Sequence, residues 1–305
     1  MPRLALKIDV HTFRGTREGV PTLLEVLARQ RADATFLFSL GPDRTGRAIR
    51  RVFRPGFLTK VSRTSVLSHY GVRTLLYGTL LPGPDIGRRC AALLREVAAR
   101  GFETGVHCWD HVRWQDNVVT RDEAWTRREM RAAIERYQEV FGQAPRVHGA
   151  AGWQMNPAAY RLEAELAFDY ASDTRGHAPY QPWHENRPIG VPQLPTTLPT
   201  FDELIGLDGV TAENVDARLL ALTAAQPGVD QVFTLHAELE GMRLAPVFER
   251  LLAGWRAQGF ELVSMRAQAA RLDRARLPGH RIDRGEVAGR SGELAIQGAA
   301  VESAR

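Results

Sequence analysis

The chain has 305 residues, of which 44% are hydrophobic and 25% are charged. This composition is typical of a globular protein with a sizeable core, and it excludes a disordered or fibrous chain. Forty basic and 35 acidic residues give a net charge of only +5, so we expect no nucleic-acid partner. Cys90 and Cys108 form no disulfide framework. We also expect neither a signal peptide nor a transmembrane helix, and therefore a cytoplasmic protein.

Strand-like and helix-like segments alternate along most of the chain. Short apolar runs are followed by segments with apolar residues at three- and four-residue steps, the pattern of amphipathic helices. The predicted strands are RLALKID, ATFLFSL, FETGVH, APRVHGA, FDYASD, QLPTT, QVFTLHA and FELVS. The predicted helices are GVPTLLEVLARQR, DIGRRCAALLREVAARG, one opening at Asn156-Pro157, and residues 122–141, 210–225 and 242–258. Such alternation predicts an α/β protein with a mainly parallel sheet.

The predicted fold is a distorted (β/α) barrel, because no glycine-rich phosphate fingerprint follows the first strand. We expect one catalytic domain over residues 1–285, interrupted by an insertion at residues 43–84. Residues 286–305 are rich in Gly, Ala, Ser and Glu, which predicts a loosely ordered tail.

The insertion is basic and apolar at once. No acidic residue occurs between Asp43 and Asp85, whereas arginines alternate with Leu, Val, Phe and Tyr. Such a composition is typical of an amphipathic element that faces anionic lipid headgroups. The alternative is an ordinary solvated basic face over a packed insertion. The candidate membrane- or phosphate-docking residues are Arg50, Arg51, Arg54, Lys60 and Arg63.

Five residues close three of the predicted strands: Asp9 and His11, His107 and His111, and His236. Strand C-terminal ends converge at one mouth of an α/β barrel, where enzymes of this architecture place their chemistry. The four-residue spacing in HCWDH brings two imidazoles to one side of a helical turn. Together with His11 they make three ligands for a divalent metal, which leaves a position for water. The pair alone is a weak signal, and its position at a strand end strengthens it.

The flanking residues have candidate roles in proton transfer. Asp9 is two residues from His11 and points to the same side of the strand. It is either the general base or a carboxylate that orients a ligand imidazole. His236 is a candidate acid, with Asp173 as its supporting carboxylate, and Arg175 is a candidate partner for either carboxylate. Four tryptophans are expected to line a sugar-binding cleft or to belong to the core: Trp109, Trp114, Trp153 and Trp183. The candidate substrate-binding residues are Trp109, Trp153, Arg175 and Arg14.

The ordered motifs resemble the polysaccharide deacetylase (NodB-homology) family. They are IDVHTFRGTREGVP, HCWDH, AAGWQ, SDTRG, LPTTLPTFDELIG and TLHAELEG, and the resemblance covers roughly residues 3–290. It implies that Asp9 is the base, that His236 is the acid supported by Asp173, and that position 11 holds the metal with His107 and His111. Zinc, cobalt and manganese are the candidate ions.

Two positions depart from the family pattern. The family usually has a carboxylate at position 11, so His11 leaves the site one charge unit more positive. Position 154 is Gln where an arginine commonly contacts the base, and Arg175 or Arg14 is expected to compensate.

Within the family, the motifs are most similar to deformylases of an undecaprenyl-phosphate-linked formamido sugar. This resemblance implies a polyprenyl-phosphate-linked amino sugar as substrate, and peripheral contact with the inner face of the bacterial inner membrane through residues 43–84. It also implies a role in lipid A modification and polymyxin resistance. Two alternatives stay open: a deacetylase of a polysaccharide, and a non-catalytic lipid- or sugar-binding protein. The oligomeric state is not predicted.

Overall fold

Eleven strands make up the two sheets of the described chain. A computed structural model describes residues 1–48 and 72–301. The strands are β1 (Arg3–Val10), β2 (Thr35–Ser39), β3 (Glu103–Cys108), β4 (Val147–His148), β5 (Tyr170–Ala171), β6 (Gln181–His184), β7 (Arg187–Pro188), β8 (Gln231–His236), β9 (Glu261–Val263), β10 (Gly279–Glu286) and β11 (Glu293–Ala300). The five predicted docking residues lie outside the described ranges: Arg50, Arg51, Arg54, Lys60 and Arg63.

Helices connect most of these strands. The α-helices are α1 (Val20–Gln30), α2 (Val72–Leu76), α3 (Ile86–Arg89), α4 (Ala91–Ala99), α5 (His111–Asn117), α6 (Glu123–Phe141), α7 (Pro157–Glu165), α8 (Phe201–Leu204), α9 (Val215–Ala224), α10 (Ala245–Ala257) and α11 (Met265–Ala269). A π-helical turn covers Gly15–Gly19, and 3₁₀ turns cover Val118–Thr120, Ala151–Trp153 and Arg274–Arg276. Among the residues described, no helix is long and apolar enough to cross a bilayer.

The larger sheet has seven strands, and every pairing in it is parallel. Its order is β5-β4-β3-β2-β1-β8, with β9 paired to the first residues of β1. The sequence of β1, RLALKIDV, is buried on both faces from its second residue onward, as expected of a strand covered by helices on one side and a packed interior on the other. The parallel (β/α) architecture predicted from the alternation is confirmed.

An irregular segment closes the gap between β5 and β8. The backbone N–H of Leu194 donates to the carbonyl of Ala171 in β5 at 2.8 Å, and that of Leu198 donates to Val232 in β8 at 3.2 Å. QLPTT, a predicted strand, therefore runs between the two outer strands and forms isolated bridges there, without a regular ladder. The result is a distorted barrel.

Two helices show how the sequence positions the outer layer. In α1 the buried residues Leu23, Leu24 and Leu27 recur at helical spacing and join the main core. Helix α6 begins after Asp122, whose carboxylate accepts the N–H of Trp125 at 2.8 Å, and ends at Gly142, which has a φ of +71°. Such a cap and a left-handed glycine are standard helix boundaries, so residues 122–141 form the helix that the sequence predicts.

The smaller sheet, of order β11-β10-β6-β7, contains a correction. Residues 286–305 were expected to form a loosely ordered tail. This prediction is wrong for β11, which pairs antiparallel with β10. Residue Arg175 also fixes β11, because its N–H donates to Ala295 and its carbonyl accepts the N–H of Gln297. Composition alone indicated disorder, but the partner strand and the burial of Leu294 and Ala295 stabilise this segment.

We expect Leu294→Ala to lower the free energy of unfolding by about 2–4 kcal/mol, because the side chain is only 3% exposed and its removal leaves a cavity. Urea denaturation measures the change. Leu80→Ala is the matched control, since Leu80 is 80% exposed and its truncation is expected to be near neutral. Equal stability of the two variants would restore the loose-tail interpretation.

Candidate active site

Three parallel strands of the larger sheet, β3, β1 and β8, carry at or just beyond their C-terminal ends the five residues singled out in the sequence. Strand β1 contains Asp9 and is followed by His11, β3 contains His107, and β8 ends at His236. Asp9 and His236 are direct partners in the parallel register of β1 and β8. His111 begins α5, where the Asp110 carboxylate caps the helix. The structure therefore brings all five together at one mouth, as parallel topology requires.

Three histidines form a possible metal-binding group. His11, His107 and His111 each offer a ligand atom within 4.8 Å of the others. The ring centroids of His11 and His111 are 4.4 Å apart, and those of His107 and His111 are 5.3 Å apart. Three nitrogen donors suit zinc or a similar divalent ion and leave a position for water. The residues present therefore fit such an ion.

His107 is held in a defined orientation. Its Nδ1 lies 2.7 Å from the carbonyl of Gly149, which leaves Nε2 as the nitrogen available to bind a metal together with the other two histidines. Burial, and then the charges of Lys7 and His11, lower the pKa of His107 well below its ordinary value. The ring is therefore neutral, as a metal ligand must be.

Asp9 lies beside a buried lysine that sequence reasoning missed. The Nζ of Lys7 is 3.7 Å from Asp9 Oδ2 and donates to the carbonyl of Ser172 at 2.8 Å. Burial raises the pKa of Asp9 to about 6, against the opposing attraction of Lys7 and His11. A base with a pKa near the working pH is well suited to proton transfer. The missed signal was a lysine on the Asp9 face of an otherwise apolar strand.

The residues expected to replace the family arginine have other partners in the structure. Arg175 pairs with Glu203 at 2.7 Å, and Arg14 pairs with Glu18 at 2.9 Å. Gln154 donates to the carbonyl of Glu293 in β11. A cation that lies beside Asp9 is Lys7, from the same strand.

A carboxylate other than Asp173 lies close to His236. Asp202, at the start of α8, has its Oδ1 3.8 Å from His236 Nδ1. Asp173 follows β5, which pairs with β4. The Asp173 carboxylate accordingly contacts His148 of β4 at 3.0 Å. The assignment of Asp173 to His236 is thus not supported by this geometry.

Arg290, from the turn between β10 and β11, links this region to the C-terminal hairpin. Its guanidinium contacts Asp202 at 3.1 Å and Glu203 at 2.8 Å. It also lies 4.7 Å from the ring centroid of Trp153. This contact was not predictable from the sequence, because the turn is remote from every motif and its position depends on the β10–β11 pairing.

The two tryptophans proposed for substrate binding differ in exposure. Trp153 is buried, its indole N–H donates to Thr196, and Lys7 and Arg175 lie 5.4 and 5.2 Å from its ring centroid. It is therefore enclosed by cations and has no face open to a sugar. Trp109 is half-buried, with the Arg136 guanidinium 5.2 Å from its ring.

A second cluster contains His148, Glu163 and Asp173, all buried. His148 Nδ1 is 2.7 Å from Glu163 Oε1 and 3.0 Å from Asp173 Oδ1. Burial opposes protonation of the imidazole, yet the two carboxylates raise the pKa of His148 to about 10. The cluster is therefore a buried imidazolium between two acidic groups. It supports β4 and β5 behind the site.

A parallel barrel that gathers three histidine donors, a buried carboxylate and a further histidine at its strand ends has the equipment of a metal-assisted hydrolase. Comparison with known proteins gives the family. Residues 3–171 match the polysaccharide deacetylase family, and the chain belongs to that family. Its members are metal-dependent hydrolases.

Two curated relatives are each named probable 4-deoxy-4-formamido-L-arabinose-phosphoundecaprenol deformylase. The protein from Shewanella sediminis is 38% identical, over 86% of this chain and 84% of its own. The protein from Wigglesworthia glossinidia brevipalpis is 33% identical, over 78% of this chain and 82% of its own.

Solved structures show the same fold at lower identity. A Mycobacterium smegmatis structure assigned to the polysaccharide deacetylases has a TM-score of 0.61 at 19% identity, covering 93% of this chain and 94% of its own. The PuuE allantoinase has a TM-score of 0.55 at 17% identity, covering 88% of this chain and 89% of its own.

We expect His148→Gln to lower the free energy of unfolding by about 3–5 kcal/mol near pH 6, because two buried acidic groups lose their cation. The folded pKa of His148 lies above the unfolded value of 6.5. Its contribution is therefore fully present below pH 6.5 and is lost as the pH rises through about 10. Urea denaturation of both proteins across this range should show the difference shrinking. A difference that does not change with pH would contradict the imidazolium assignment.

Proposed function

We propose that the protein is a deformylase of 4-deoxy-4-formamido-L-arabinose carried on undecaprenyl phosphate. The observation that carries this proposal is the placement of Asp9 and His236 beside three histidine donors, in a chain 38% identical to a relative with that name. The products are formate and the free amino sugar. That amine adds positive charge to the lipid A it later decorates, which would reduce binding of cationic peptides such as polymyxin.

His11, His107 and His111 would hold the divalent ion, with zinc, cobalt and manganese as candidates. When bound, such an ion polarises the formyl carbonyl and acidifies water. The remaining work falls to this chain's own groups. His11 and His107 are buried and His111 is half-buried, so contact with bulk solvent is reduced and the electrostatic interactions within the site are strengthened.

Asp9 would accept the proton of the attacking water. Lys7 stabilises the carboxylate form, and burial stabilises the protonated form, so both states are accessible near neutral pH. His236 would donate a proton to the sugar nitrogen as the C–N bond breaks. Asp202 lies where it can orient that imidazole. One water is consumed, and formate and the amine are released.

Asp9→Asn and His236→Ala test these two roles. We expect each to lower kcat for formate release by about 10²- to 10⁴-fold, the usual contribution of a general base or acid. Formate is measured from the lipid-linked formamido sugar, and acetate is measured from the matched acetamido compound.

His184→Ala is the control, since this side chain lies in β6 of the smaller sheet and should leave the rate unchanged. Wild type that is no more active than the two variants would contradict the enzymatic proposal. Faster acetate than formate release would favour a deacetylase.

We also propose that residues 43–84 dock the protein on an anionic membrane. Support comes from their composition and from a lipid-linked substrate that stays in the bilayer. In liposome flotation, binding should require anionic lipid and fall as salt rises. Neutralising the five basic docking residues should abolish flotation, whereas equal binding after that change would contradict the proposal. The residues are Arg50, Arg51, Arg54, Lys60 and Arg63.

A further inference from the structure

Glu238, two residues beyond the end of β8, fixes the loop that carries His11. Its side chain is almost fully buried. Oε1 accepts hydrogen bonds from the backbone N–H of His11 at 3.1 Å and from that of Thr12 at 2.8 Å. The Thr12 hydroxyl donates to the same oxygen at 2.9 Å. One carboxylate oxygen therefore connects the end of β8 to the end of β1.

The other oxygen of Glu238 faces the ring of His11. Oε2 lies 3.5 Å from His11 Nδ1 and has no hydrogen-bond partner of its own among the described residues. A buried carboxylate oxygen without a donor is costly, so its position close to a ring nitrogen indicates a function. An approach slightly closer than the present 3.5 Å would give a normal hydrogen bond.

The chain makes room for this carboxylate at Gly15. A Cβ at that position would lie 2.1 Å from Glu238 Oε1. The glycine is therefore required for the close approach of the π-helical turn Gly15–Gly19 to the buried side chain. Position 15 and position 238 are adapted to each other.

We propose that Glu238 is the positioning residue of the metal site. It accepts a hydrogen bond from His11 Nδ1, directs Nε2 toward the ion, and returns the negative charge that a ligand set of three neutral imidazoles lacks. A carboxylate behind a ligand imidazole makes the ring a stronger donor. The inference rests on the proposed metal binding by His11, His107 and His111.

Metal affinity is the primary test. The metal-free protein is titrated with Zn²⁺ and with Co²⁺ against a chromophoric chelator. We expect Glu238→Gln, which keeps the shape and removes the charge, to weaken affinity about 10- to 100-fold. Glu240→Gln is the matched control. Burial raises the pKa of Glu240 to about 8 and it accepts the N–H of His236, so its replacement should leave metal affinity unchanged.

A double variant distinguishes the orientation of the His11 ring by Glu238 from the support that Glu238 gives to the loop. In His11→Asp the ligand carries its own charge and has no Nδ1 to orient, so adding Glu238→Gln should have little further effect on affinity. If Glu238 only holds the loop at His11 and Thr12, Glu238→Gln should weaken metal binding equally in wild type and in His11→Asp. That outcome would overturn the inference. Wild type that binds neither ion would instead contradict the proposed metal site itself.

The protonation and metal-binding nitrogens of His11 can also be identified in the wild-type protein. Side-chain ¹⁵N NMR of the zinc-loaded, histidine-labelled protein should show His11 protonated at Nδ1 and bound through Nε2. The opposite arrangement would overturn the inference even if Glu238→Gln fails to fold. Thr12→Val supplies a further contrast, because it removes one hydrogen bond to Oε1 and should lower stability without lowering metal affinity.

Discussion

Lys7 and Asp9 are buried in the barrel mouth, and the arrangement of the site depends on how their charges are compensated. Burying a charge without a partner costs more than a domain can tolerate. Lys7 meets this constraint by donating to Ser172 and by lying 3.7 Å from Asp9. The base is thus neither fully solvated nor locked in a strong ion pair. Its protonation equilibrium is set by the balance between burial and the neighbouring charges, of which Lys7 has the largest effect, and this is how a carboxylate becomes useful near neutral pH.

The sequence was sufficient to locate the site, but it was not sufficient to pair its members. Asp9, His11, His107 and His236 were predictable because parallel strands bring their C-terminal ends to one edge, whatever their order. The support of His236 was not, because it depends on which strands are neighbours. Strand order is set by long-range packing of whole helices and strands, and local patterns do not encode it. A carboxylate after β5 therefore looked equivalent to one in α8, although the two lie beside different histidines.

The C-terminal hairpin shows the same limit for the fold. The residues of β11 have the composition of a linker, yet they form a strand because β10 and the backbone of Arg175 satisfy their hydrogen bonds. This pairing carries Arg290 to the ring of Trp153 and to two carboxylates of the α8 turn. A peripheral hairpin and the candidate acid are thus parts of one contact network. Composition describes what a segment can do alone, whereas β11 is defined by its partners.

The place of β1 between β2 and β8 has a consequence for biosynthesis. One edge of β1 is covered early, since β2 follows it closely in the chain. The other edge pairs with β8, which is synthesised much later, and Asp9 comes to lie beside His236 only when that pairing forms. Throughout translation of the intervening segments, an apolar strand therefore presents an unpaired edge, the kind of surface that recruits other chains. Keeping this nascent edge apart from the same edge of neighbouring chains on the polysome is therefore a requirement of the barrel's topology.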